Sequence, residues 1–366
     1  MKRQGIRASG NALGLAPALW ESPFLRACRG EPTPVTPVWL MRQAGRYMEH
    51  YRGVRAGGSF LDLCKSPARC AEVAVFARTF LDVDAAILFS DILVVLEALG
   101  LPLEFTEGGG PHLPQPIRAA AQVEALGNPA QAAADLDYVY QALRLTVAGL
   151  PPHIPCIGFC GAPFTLAAYA IEGGGTRQFA QSKAFMYRES AAWHRLMEVL
   201  VSALALYVNH QIAAGASCIQ IFDSWVGELT REDFREFVAP HLSRLIAHIG
   251  AGVPVILFGT GTGHLLDELI ACGPDVLGID STTDLAVAGA LAARHGVAVQ
   301  GNLDPCLLLA PRPRLLAAAD RVLATAHSAS GHVFNLGHGV LKQTDPEQAR
   351  ALVERVHATS TASGRA

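Results

Sequence analysis

Eight short apolar runs recur along this chain, each ending in a polar or very small residue, with long helical patterns between them. The runs cover residues 38–41, 85–90, 154–160, 217–223, 254–260, 276–280, 298–303 and 332–337. Runs of this length, rich in Val, Ile and Phe, suit strands buried on both faces, as in a parallel sheet flanked by helices. Helical periodicity fills the gaps at 68–81, 130–148, 177–213, 231–249 and 314–326. A last helix begins at Asp345-Pro346-Glu347, with Asp suited to the N-cap and Pro to the first turn. Eight such units predict an α/β fold: a single (β/α)8 TIM-type barrel over residues 21–360, with its active site at the C-terminal ends of the strands. Residues 101–117, with Gly108-Gly109-Gly110 and four prolines, read as an inserted excursion such as a hairpin.

Composition narrows the functional classes. Hydrophobic residues make up 51% of the 366 and charged ones 17%, which suits a well-buried globule. A net charge of −3 argues against a nucleic-acid binder. It also means that an acidic ligand must be held by local cations rather than by the field of the whole protein. The eight cysteines are scattered without a C-x-x-C pair and are expected as buried free thiols of a reducing compartment. Residues 1–20 are basic, lack acids and carry Pro17 within their one apolar run, so a loose, disordered extension is expected rather than a targeting peptide. No uninterrupted apolar stretch reaches the ~18 residues of a membrane span, and a cytoplasmic location is expected.

The strand ends carry the candidate chemistry. They read Arg42-Gln43, Ser90-Asp91, Cys160-Gly161, Asp223-Ser224, Gly259-Thr260, Asp280-Ser281, Gly301-Asn302 and Gly337-His338. In Arg42-Gln43-Ala44-Gly45-Arg46, two guanidinium forks four residues apart suit carboxylate or phosphate, or else a salt-bridged surface turn. Asp91, between apolar runs, is a helix N-cap or a desolvated carboxylate able to stabilise a cation. Tyr169 is a core-edge tyrosine or a hydroxyl donor. His338, between glycines, is a turn residue or a ligand contact. Asp223 is a candidate cap for the following turn. The Gly-rich turn 259–263 could cradle a phosphate, but it is not a full G-x-G-x-x-G and lacks the acidic residue expected further on.

Five stretches together resemble the uroporphyrinogen decarboxylase family. They are Pro37-Val38-Trp39-Leu40-Met41-Arg42-Gln43-Ala44-Gly45-Arg46-Tyr47, Phe89-Ser90-Asp91-Ile92-Leu93, the segment from Gly158 to Tyr169, Phe222-Asp223-Ser224-Trp225 and Asn335-Leu336-Gly337-His338-Gly339. The resemblance runs over residues 22–355. It implies conversion of the four acetates of uroporphyrinogen III to methyl groups, giving coproporphyrinogen III and carbon dioxide, with no cofactor and no metal. It further implies catalytic roles for Asp91 and Arg42. Substrate contacts would come from Arg42, Gln43, Ala44, Gly45, Arg46, Asp91, Phe159, Tyr169, Phe222, Ser224 and His338. Arg55 resembles a further family arginine, and a homodimer is implied. The chain departs from the family pattern at Glu49 and Lys342, where many members carry proline. Two other readings stand beside this one. A corrinoid- or pterin-linked methyltransferase on the same barrel would bind zinc, but the His-x-Cys pair of such zinc sites is missing. A non-catalytic tetrapyrrole carrier would not need Asp91.

Overall fold

The computed structural model describes residues 6–105, 110–176 and 178–363. Seven parallel strands follow one another in chain order, each hydrogen-bonded to the next. They are β1 Ala86–Ile87, β2 Cys156–Gly161, β3 Cys218–Asp223, β4 Val255–Gly259, β5 Val276–Gly278, β6 Ala298–Gln300 and β7 His332–Val333. Every one falls on an expected run. The register keeps the strand ends level, with Gly161 beside Phe222 and Phe222 beside Phe258.

Side chains across the interior show that the sheet curls. Trp39 Nε1 donates to Gln300 Oε1 at 2.9 Å, and Gln300 Nε2 donates to Gln220 Oε1 at 3.1 Å. Gln220 lies on β3 and Gln300 on β6, so a bond between them requires the strands to wrap around a common axis. All three side chains are buried, and each polar atom in this chain of bonds is matched, as a low-dielectric interior demands.

The expected strand at 38–41 forms no ladder. It makes one parallel bridge, Val38 to Phe334. The reason lies in its four N–H groups. Trp39 donates to the Phe334 carbonyl, but Val38, Leu40 and Met41 donate to the side chains of Asp84, Gln43 and Asn335. Side-chain acceptors thus replace the backbone partners that a regular strand would use. The regular sheet is a curled seven-stranded one rather than the eight-stranded barrel expected.

Three expected helices are interrupted, among them the pattern over 177–213, which breaks at Glu189 into Ala180–Arg188 and Ser190–Ala213. The pattern over 130–148 splits at Leu136 into Pro129–Asp135, capped by Asn128, and Asp137–Ala148. The pattern over 231–249 contains a π-turn at Phe234–Val238 before Ala239–His248. The 24-residue helix Ser190–Ala213 is long and apolar enough to cross a membrane, yet Trp193, Leu196, Met197 and Leu200 are fully buried against the body. The final helix, Pro346–Ser363, starts as expected, with Asp345 Oδ1 accepting the Glu347 N–H.

The excursion is a hairpin: Glu104–Phe105 pairs antiparallel with Pro111–His112, and His112 bridges to Gly174. Residues 106–109 lie outside the described residues, as do residues 1–5 of the N-terminal stretch. The rest of that stretch is not loose at its ends, contrary to expectation. Ile6 is buried and its N–H donates to Asp275 Oδ1, while the Trp20 carbonyl accepts from Arg29. Of the eight free cysteines, seven are buried as expected and Cys306 is exposed.

Candidate active site

Arg42 follows the irregular segment 38–41 directly, and its backbone lies in the left-handed region, with φ of 61°. That conformation is unfavourable for a side-chain-bearing residue and must be held by its surroundings. The Met41 N–H donates to Asn335 Oδ1, and the Met41 carbonyl accepts from Val340, so the loop after β7 clamps the residue before Arg42. Gly339 leaves room for the arginine stem: a Cβ there would sit 2.4 Å from Arg42 Cδ and 2.7 Å from Cγ. Arg42 and His338 are therefore neighbours in space, although 296 residues separate them.

Asp91 is half-buried after β1. Its Oδ1 accepts the Leu93 N–H at 2.9 Å. Burial pushes its carboxyl up from 3.8 to about 6, against the opposing pull of that N–H and of Arg42. Arg42 also acts on two other groups. Burial and Arg42 lower His338, which Asp280 partly offsets. Burial and the Asp91 charge raise Tyr169, while Trp225 and Arg42 oppose them. Arg42, Asp91, Tyr169 and His338 thus share one electrostatic neighbourhood at the C-terminal end of the sheet.

The walls of this cleft are aromatic. Phe159 and Phe222 meet edge-on at 5.6 Å, and Tyr169 meets Trp225 at 5.9 Å. Tyr51, Phe89, Phe60 and Phe105 form a second run, with the Arg55 guanidinium 5.6 Å from the Phe60 ring. Arg46 and Arg55 both act on Tyr51, which places them on this side. Arg42, Arg46 and Arg55 make no ion pair among the described residues, unlike Arg29 and Arg78, which pair with Glu31 and Asp82. Unpaired guanidinium groups beside an apolar wall suit a polyanionic ligand with a flat apolar body.

Most of the expected site residues therefore converge. Ala44 and Gly45 lie half-buried between the two arginines, and Ser224 lies half-buried beside Phe222. The Gln43 side chain turns away from the cleft. It is fully buried, its Oε1 accepts from Leu40 and its Nε2 donates to the Ala85 carbonyl, so its side chain serves the fold rather than the cleft. The Gly-rich turn holds no open cradle either, because the Gly261 N–H donates to Asp280 Oδ2 at 2.7 Å. Glu49 opens the helix Glu49–Arg55 at its first position, where proline is equally at home, so this departure leaves the loop shape intact. Asn335 and Asp223, which lie in the motifs but outside the expected substrate contacts, have structural parts beside the site. Asn335 clamps Met41, and Asp223 accepts the Thr165 hydroxyl instead of capping a turn. Among the described residues, no group of three or more His, Cys, Asp or Glu is placed to hold a metal ion.

The family model for uroporphyrinogen decarboxylase matches residues 20–359. The chain belongs to the uroporphyrinogen decarboxylase family. Relatives named uroporphyrinogen decarboxylase include those of Myxococcus xanthus, 48% identical, Thermus thermophilus, 47% identical, and Koribacter versatilis, 45% identical. Each alignment covers 91–92% of this chain and 95–96% of the relative. Among solved structures, a methyltransferase from Methanosarcina mazei superposes with a TM-score of 0.78, covering 93% of this chain and 99% of its own, at 20% identity. At that identity the likeness speaks for a shared fold alone. The family match spans every strand of the described sheet.

Proposed function

We propose that this chain decarboxylates uroporphyrinogen III to coproporphyrinogen III, converting four acetates to methyl groups and releasing four molecules of carbon dioxide. The names of relatives over nearly the whole chain support the reaction. The observation that carries the chemistry is Asp91: a half-buried carboxylate, with its carboxyl pushed up to about 6, in the same neighbourhood as the unpaired Arg42.

Decarboxylation needs somewhere to place an electron pair. An electron-rich pyrrole supplies its own sink once it is protonated at the ring carbon next to the acetate-bearing one. Carbon dioxide then leaves as the electrons of the breaking C–C bond neutralise the ring cation, giving an exocyclic methylene. Protonation of that methylene and loss of the first proton from the ring complete the methyl group, so each acetate consumes one proton. Asp91, ionised at neutral pH, gathers the pyrrole N–H groups and favours the cation by preorganised electrostatics. Arg42 and Arg46 hold carboxylates, and Arg42 faces the reacting acetate. Tyr169, Ser224 and His338 orient peripheral carboxylates. Phe159 and Phe222 keep water from the ring, where lower dielectric strengthens the Asp91 interaction. No cofactor enters this scheme.

In this reading, segment 38–41 is the eighth stave that closes the barrel, bonded to Phe334 on one side and to Asp84 on the other. A homodimer in the cytoplasm accords with the family resemblance, and the net charge of −3 accords with a small-molecule substrate rather than nucleic acid.

Anaerobic incubation with uroporphyrinogen III, followed by chromatography of the oxidised products, tests the function. Stepwise appearance of seven-, six-, five- and four-carboxylate porphyrins is expected. Substrate that is bound but unchanged would leave a tetrapyrrole carrier in its place.

A further inference from the structure

One buried carboxyl has no part in this scheme. Asp223 ends β3 and is fully buried. Its Oδ1 accepts the Thr165 hydroxyl at 2.7 Å, while its Oδ2 has no hydrogen-bond partner among the described residues. Burial pushes this carboxyl up to about 7, opposed by the hydrogen bonding of Thr165. A buried carboxyl with one unmatched oxygen costs stability, and folds retain such groups chiefly where function requires them.

The contacts beyond Asp223 lead to the cleft. Thr165, itself fully buried, lies in the first turn of the helix Pro163–Glu172, and its Oγ1 accepts the Trp225 N–H at 3.3 Å. Tyr169 stands four residues further along that helix and so on the same face. Its ring meets the edge of Trp225, which Phe179 backs at 5.1 Å. One hydroxyl thus joins the end of β3 to the start of the helix that carries Tyr169. Ser224 is held between the two tied residues, Asp223 and Trp225.

We infer that Asp223 and Thr165 form a positioning pair that sets the separation of Ser224 from Tyr169, and with it the fit of the substrate's peripheral carboxylates. The inference rests on the decarboxylase reading. Neither residue touches the reacting atoms. Breaking the link loosens interactions made equally in the ground and transition states, so it raises KM and leaves kcat nearly unchanged.

Steady-state kinetics on uroporphyrinogen III, with thermal melting alongside, tests the pair through four variants. Thr165→Val and Asp223→Ala break the link; Thr165→Ser and Asp223→Asn keep a hydroxyl and an acceptor. The first two are expected to raise KM about tenfold, a modest part of what a 1 Å misplacement can cost. The second two are expected to recover most of the wild-type KM. A purely structural role would lower the melting temperature or the active fraction, hence kcat, at unchanged KM, and that result overturns the inference. If Thr165→Val does not fold, Asp223→Ala gives the same reading. Active wild type with unchanged KM in the breaking variants rejects the positioning pair alone. Inactive wild type rejects the decarboxylase reading and the pair with it.

Discussion

β1 and β3 leave the sheet with nearly the same residues in a different order. Beyond β1 the chain reads Phe89-Ser90-Asp91; at the end of β3 it reads Phe222-Asp223-Ser224. Successive side chains of an extended segment alternate between faces. At the end of β1, Phe89 packs on Tyr51 and Phe60 and Asp91 is half-buried near Arg42, while the Ser90 hydroxyl is buried beside Tyr207 of an outer helix. At the end of β3, Phe222 packs on Phe159 and Phe258 and Ser224 is half-buried beside it, while Asp223 is sealed against Thr165. Exchanging Ser and Asp moves the carboxyl from the cleft to the wall. Both carboxyls are raised by burial, so a raised carboxyl does not by itself mark the reacting group. Access to the cleft and a neighbouring guanidinium make that distinction.

The same isosteric change at the two positions puts this contrast to its strongest test. Asp91→Asn keeps the shape and removes the charge that favours the ring cation, and turnover is expected to fall about 10²–10³-fold. Asp223→Asn retains an acceptor for Thr165 and is expected to cost only a few-fold. The pH profile separates them further. The proposed scheme uses ionised Asp91, so wild-type turnover should decline as pH falls through about 6. A comparable loss of turnover in both variants, or an acid limb that survives Asp91→Asn, would remove the distinction.

Two glycines of the loop after β7 sharpen the contrast at the next level. A Cβ at Gly339 would strike the stem of Arg42, whereas a Cβ at Gly337 would lie 2.0 Å from the Ser281 backbone nitrogen. Gly339→Ala should therefore displace the guanidinium and lower kcat/KM roughly tenfold, by misplacement of a positioned group, with little change in melting temperature. Gly337→Ala should destabilise the fold, because backbone cannot yield as a side chain can. Kinetics and melting curves on the two variants distinguish these outcomes. Equal loss of stability in both would mean that Gly339 serves the fold rather than Arg42.

Much of this architecture was legible because β2, β3 and β4 are buried on both faces, which leaves an uninterrupted apolar run in the chain. Segment 38–41 has the same apolar look, yet Asp84, Gln43 and Asn335 accept three of its four N–H groups. That substitution depends on residues as much as 294 positions away, which local periodicity cannot register. The site divides in the same manner. Arg42 and Asp91 stand at strand ends within long motifs and could be singled out from those motifs. The Thr165–Asp223 bond joins residues 58 apart, and the fit of Gly339 against Arg42 depends on how the sheet curls. Gln43 shows the converse: a polar residue between two arginines whose side chain turns inward because Leu40 and Ala85 take its amide.

The smallest expected effect concerns stability at Asp223. Its folded carboxyl is raised from 3.8 to about 7, so the folded state holds a proton that the unfolded state releases at lower pH. Wherever the folded state binds more protons, stability falls as pH rises. The contribution of Asp223 is therefore fully present below pH 3.8, is lost progressively as pH rises through about 7, and changes no further above that. Asp223→Asn has no such proton to lose. Against wild type, its melting temperature should rise with pH between those limits and level off near neutrality. Asp91 also titrates in this window and must be held constant, which makes Asp91→Asn the proper background for the comparison. A difference that stays flat from pH 4 to pH 8 would mean that Asp223 is not the sealed carboxyl of this pair, and the contrast between the two strand ends would lose its basis.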